Sequence, residues 1–94
     1  MAMKHFNIRI HGRVQGVFFR ASARTHAQAL DVVGFARNEG DGSVYIEVEG
    51  EEKNLKDFIS WCHRGPDRAE VTYVEVKEGQ GKNFTSFEVN RGMF

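Results

Sequence analysis

Residues 12–20 read GRVQGVFFR, a stretch in which two glycines bracket Arg-Val-Gln and an apolar run delivers Arg20 to a helix-prone segment. Glycines beside a helix N-terminus let the backbone curl so that several N–H groups point at one anion, and the helix end adds partial positive charge. Arg20 contributes a planar fork whose two donors match a pair of phosphate oxygens, which a lysine meets only as a point charge. No Asp or Glu occurs between Met1 and Leu30, whereas Lys4, Arg9, Arg13, Arg20 and Arg24 all do. The guest of such a loop is an anion. On these grounds alone a second reading stays open: a tight connection whose arginine lies in solvent. The common nucleotide-binding signatures are absent, since no Lys-Ser or Lys-Thr follows Gly16 and the two glycines are four apart, which argues against a nucleoside triphosphate.

The elements that must hold this loop follow from periodicity. Phe6, Ile8 and Ile10 alternate with Asn7, Arg9 and His11, the period of a strand buried on one face. Phe19, Ala23, Ala27 and Leu30 fall at helical spacing, so a helix begins beside Arg20. Strand character returns with Val33, Phe35 and Ala36. After the turn-like EGDG, Val44, Ile46 and Val48 alternate with Ser43, Tyr45, Glu47 and Glu49, which predicts a hairpin. Leu55, Phe58, Ile59 and Cys62 form the stripe of a second helix that Gly65-Pro66 stops. Val71, Val74 and Val76 mark a fourth strand of irregular phase, and Phe87 and Val89 a short fifth. This is the α+β order of a ferredoxin-like fold, β-α-β-β-α-β: a two-layer sandwich with two helices on one face of an antiparallel sheet and an additional short C-terminal strand. In that order the first and second strands run the same way with the third between them. The loop, the start of the first helix and Asn38 therefore share one edge.

The 94 residues suffice for one domain, expected to span residues 1–94, and acidic and basic residues balance at 13 each. That balance argues against a chain built to coat nucleic acid or a membrane surface. The single cysteine, Cys62, excludes an intramolecular disulfide, and no apolar run approaches the roughly 20 residues that span a bilayer. A cytoplasmic, soluble chain is expected. The four histidines and one cysteine lack the paired short spacings of a zinc site, so no metal site is expected.

GRVQGVFFR at 12–20, together with GFARNEGDGSVYIEVEG at 34–50, closely resembles the two signatures of the acylphosphatases, small enzymes that hydrolyse the carboxyl-phosphate bond of acyl phosphates to a carboxylate and inorganic phosphate. The resemblance covers essentially the whole chain and implies the ferredoxin-like fold reached above from patterning. By position it implies that Arg20 binds phosphate and that Asn38 positions the attacking water. It also implies a phosphate cradle of backbone N–H groups from Gln15, Gly16, Val17, Phe18, Phe19 and Arg20. No cofactor is implied, and a substrate phosphate oxygen is implied as the acceptor of the water's proton. The partner is then a small-molecule acyl phosphate, with no nucleic acid, no membrane and a monomeric enzyme expected. The carboxylate leaving group has a conjugate acid of pKa about 4, so it departs without a general acid. A carboxylate near the loop would only repel the substrate.

Asp31 stands where many relatives carry glycine, and its bland reading is a helix stop in the left-handed region, which predicts a positive φ. Glu39, beside Asn38, is expected to point away from the site because neighbours alternate along a strand. Phe19 is assigned to the core and Phe18 is left open. Arg13 and Arg24 read as solvated charges, and Trp61 and Cys62 as packing. The rival from another class is a non-catalytic anion- or RNA-binding ferredoxin-like module. RNA readers of that type carry a K/R-G-F-G-F-V-like run, and VGFARNEG lacks its second aromatic. A domain cut from a larger carbamoyl-transferring enzyme is the third reading. With no cysteine-paired zinc motif following, a free-standing enzyme is the simpler expectation.

Overall fold

The computed structural model describes residues 3–90. Its elements are β1 (Met3–Arg13), α1 (Phe19–Ala29), β2 (Val33–Asn38), β3 (Val44–Glu51), α2 (Glu52–Arg64), β4 (Glu70–Glu78) and β5 (Phe87–Val89), in the expected order. They build one five-stranded sheet, β4-β1-β3-β2-β5. β3 lies antiparallel between β1 and β2, whose ends therefore share an edge. The short fifth strand pairs parallel to β2, so the sheet is mixed.

One face of the sheet is the core. Ile8, Ile10, Ala36, Val44, Ile46 and Val48 meet Phe19, Ala23 and Ala27 of α1 and Leu55, Phe58, Trp61 and Cys62 of α2, all buried. Trp61 packs between the two helices, 5.1 Å from the Phe19 ring and stacked on His26 at 4.5 Å. Phe19 thereby pins the first turn of α1, and its neighbour Arg20 is turned toward the outside. Burial pushes the Cys62 thiol up. Just past α1, Asp31 takes left-handed backbone at φ 58°, as expected of a helix stop. The irregular phase of β4 also has a cause. His11 pairs with Tyr73 but Gly12 with Val71, which leaves Thr72 as a bulge and returns Val71 to the core side. Gly12, at φ 123°, makes room for it, since a Cβ there would lie 2.1 Å from the Glu70 carbonyl oxygen.

The other face departs from the alternation. Glu47 and Glu49, which patterning places toward solvent, are buried, as is His5. Residues 79–86 return across this face and cover them. His5 Nδ1 lies 2.7 Å from Glu49 Oε2, and its Nε2 is 2.9 Å from Asn7 Oδ1 and 3.1 Å from Glu47 Oε1. Glu49 also accepts the backbone N–H groups of Lys82 and Phe84, and Lys82 Nζ pairs with Glu47 at 2.9 Å. The Phe84 ring closes over His5 and Phe35. Burial alone would raise both carboxyls. For Glu49 the Lys82 N–H, His5 and the Phe84 N–H outweigh it, and for Glu47 the Lys82 ammonium, the Tyr45 hydroxyl and His5 do, so both sit below their ordinary 4.5.

A group whose carboxyl is held below its unfolded value stabilises the fold above that value and ceases to do so as pH falls through the folded one. Wild-type stability is therefore expected to decline as pH drops below about 4.5. Glu49→Ala strands a buried partner and is expected to cost about 3 kcal/mol at pH 7, with a flatter acid limb. Urea unfolding of both proteins at several pH values checks this; equal stabilities would contradict the buried network.

Candidate functional site

The connection from β1 to α1 forms the first wall of a cleft. Gly16 at φ 76° and Phe18 at φ 62° take left-handed backbone, the geometry that turns nearby N–H groups to one side. Among the described residues, the N–H groups of residues 16–20 have no protein acceptor; the first α1 bond at this end runs from Ser22 N–H to the Phe18 carbonyl oxygen. The cleft, about 510 Å³, is lined by Val14, Gly16, Phe18, Phe19, Arg20, Ala21, Arg24, Asn38 and Val89. Among the described residues, two arginines line it and no carboxylate does.

Four hydrogen bonds fix the parts relative to one another. The Arg20 guanidinium donates through Nη1 to the Asn90 carbonyl oxygen at 2.6 Å. The Asn90 N–H in turn donates to the Ala36 carbonyl oxygen at 2.9 Å. The backbone of one residue thus ties Arg20 to the strand that ends in Asn38. From the same β1–α1 connection, Gln15 Nε2 donates to the carbonyl oxygens of Glu39 and Ser43 at 2.8 and 2.9 Å, fastening the glycine loop to the β2–β3 turn. That turn is itself held by Asp41 Oδ1, which accepts Ser43 N–H at 2.9 Å and Ser43 Oγ–H at 2.6 Å. These bonds from Ser43 hold the Asp41 carboxyl below its usual value.

Asn38 is half-buried, and its Oδ1 is fully buried with no hydrogen-bond partner among the described residues. An unpaired buried carbonyl oxygen costs about 1–3 kcal/mol, and this one belongs to a residue lining the cleft. Glu39 points to the other side of the strand. Its carboxylate meets Arg37 Nε at 2.6 Å and Arg9 Nη1 at 3.4 Å, with Arg37 stacked over the Tyr45 ring. The negative charge beside Asn38 is thereby spent elsewhere.

Of the residues singled out in the sequence, Gly16, Phe18, Phe19, Arg20 and Asn38 line one cleft, while the side chains of Gln15 and Val17 do not. Val17 is buried in the core and Gln15 reaches the β2–β3 turn. Arg24, read as a solvated charge, also lines the cleft one turn beyond Arg20. The Asn90 backbone was not legible at all, because any residue but proline supplies the same N–H and carbonyl. Among the described residues, no helix is long and apolar enough to cross a bilayer.

A family profile described as Acylphosphatase matches residues 6–89. An acylphosphatase of Nocardioides sp. is 43% identical over 83 residues, covering 88% of this chain and 84% of its own. One of Methylococcus capsulatus is 41% identical over 90 residues, covering 95% and 98%. Among solved structures, an acylphosphatase from Coxiella burnetii superposes with a TM-score of 0.91 at 31% identity, covering 94% of this chain and 93% of that one.

Proposed function

The chain belongs to the acylphosphatase family, enzymes that hydrolyse acyl phosphates, and from that premise we propose how its residues divide the reaction. Arg20 and the backbone N–H groups of Gln15, Gly16, Val17, Phe18, Phe19 and Arg20 bind the phosphoryl group, and Asn38 holds the attacking water in line with the scissile bond. The observation that carries this is that, among the described residues, Arg20, a loop of unpaired N–H groups and Asn38 share one cleft with no carboxylate in its lining.

Phosphoryl transfer passes through a loose transition state with charge spread over three equatorial oxygens, so positioning and charge stabilisation carry most of the catalysis. Amide donors fixed before the reaction cost no reorganisation when that charge develops. The water oxygen bonds to phosphorus as the bond from phosphorus to the carboxylate oxygen breaks, and the electron pair leaves with the carboxylate. The water's proton passes to a phosphoryl oxygen of the substrate. The Asn38 carboxamide hydrogen-bonds the water and orients its lone pair toward phosphorus. Every residue in this assignment comes from one chain, so a monomer suffices, and a reducing cytosol suits the buried thiol of Cys62.

Hydrolysis of acetyl phosphate in ¹⁸O-water, with a chelator present, tests the assignment. Label is expected in inorganic phosphate; label in acetate, or loss of activity on chelation, would contradict it. Gln15→Met is expected to lower kcat about tenfold, because freeing the loop from the β2–β3 turn misaligns the cradle against Asn38. Steady-state kinetics check this, and an unchanged kcat would show that the two walls do not need the tie.

A further inference from the structure

The cleft holds one side chain that the reaction chemistry leaves unused, the ring of Phe18. Phe18 adopts left-handed backbone, φ 62° and ψ 26°, at the residue just before α1. A bulky residue rarely takes that conformation, and strain of this kind collects at functional sites. Nor does burial of its ring offset the strain, since Phe18 is 76% exposed where the next residue, Phe19, is 2% exposed. The ring stands on the rim of the cleft that also holds Arg20 and Asn38.

We infer that Phe18 is a specificity-determining residue whose ring seats the acyl substituent of the substrate, favouring acyl phosphates with an aromatic or large apolar acyl group over acetyl phosphate. The inference rests on the roles proposed above for Arg20 and Asn38, because they set the direction of the reaction through the cleft. Asn38 is half-buried where it lines the cleft, whereas Phe18 is exposed, so a water held by the Asn38 carboxamide lies deeper than the Phe18 ring. In-line displacement puts the leaving carboxylate on the opposite side of phosphorus, toward the rim. The acyl substituent then emerges beside Phe18. Ala21, on the first turn of α1 and lining the same cleft, leaves space for a ring there. An aromatic acyl group can stack on the exposed face of Phe18, whereas a methyl group covers little of it.

The test compares kcat/KM for benzoyl phosphate and acetyl phosphate in wild type, Phe18→Ala and Phe18→Tyr. Alanine keeps the Cβ and so meets the same backbone constraint at this position. In Phe18→Ala the ratio of benzoyl to acetyl kcat/KM is expected to fall about three- to tenfold, the size of one aromatic contact, through KM for benzoyl phosphate. Phe18→Tyr is expected to hold the wild-type ratio within about twofold, since the ring face is kept. An unchanged ratio in Phe18→Ala, including an equal loss on both substrates, would overturn the inference while leaving the catalytic roles standing. Wild type inert toward both substrates would overturn the catalytic reading, and this inference with it.

Discussion

Arg20→Lys is expected to lower kcat/KM for acetyl phosphate about 10²–10³-fold, nearly as much as Arg20→Ala, although it keeps the charge. The guanidinium is held by the Asn90 carbonyl oxygen through Nη1, which leaves its other donors for the phosphoryl oxygens in a fixed plane. A lysine ammonium in the same place supplies a point charge on a flexible stem and cannot both keep the Asn90 contact and span two oxygens. Both variants are expected to remain folded, since the lost hydrogen bond is worth about 1 kcal/mol. Steady-state kinetics alongside competitive inhibition by inorganic phosphate check this. Retention of more than about a third of wild-type activity by Arg20→Lys would show that charge alone suffices and that fork geometry does not matter.

Asn38→Ala separates catalysis from phosphate binding. Because Asn38 touches the water rather than the phosphoryl group in this account, kcat is expected to fall about 10²-fold, with the inhibition constant of phosphate changed less than about threefold. The same substitution removes a buried carbonyl oxygen that has no partner among the described residues. The variant is therefore expected to match the wild type in stability or exceed it by up to about 1 kcal/mol. Loss of activity with gain of stability is an outcome that a merely structural asparagine would not give. Asn38→Asp keeps an acceptor oxygen but places a negative charge in an anion cleft, so it is expected to lose both kcat and phosphate affinity. Thermal unfolding and inhibition kinetics distinguish the three proteins.

Much of this site was legible in the sequence because its parts are local. GRVQGVFFR carries the glycines, the helix start and Arg20 within nine residues, and the alternation of Val44, Ile46 and Val48 fixes a hairpin that carries Asn38 at the end of its first strand. The strand order then brings both to one edge. The outward turn of Glu39 followed from the same alternation, and the positive φ of Asp31 from its place at the helix end. Illegible parts depend on segments without periodicity. GQGKNFTS, residues 79–86, has no pattern that announces a return across the sheet, so Glu47 and Glu49 read as solvent-facing when they are buried against His5 and Lys82. The parallel pairing of β5 is invisible in three residues. So is the Asn90 peptide that holds Arg20, because a backbone carbonyl leaves no mark on residue type. Phe18 was undecided for a related reason: two adjacent phenylalanines share one composition, and only the left-handed turn sends one ring inward and the other out.

The central claim is that main-chain amides and one guanidinium together receive the phosphoryl group, and titration of ¹⁵N-labelled protein with inorganic phosphate, followed by ¹H–¹⁵N correlation spectra, tests it most directly. The amides of residues 16–20 and the Arg20 side-chain resonance are expected to shift together along one saturable curve, and Arg20→Ala to abolish that curve. Shifts confined to other basic residues, such as Arg13 and Arg68, or amides of residues 16–20 that stay still at saturating phosphate, would contradict it.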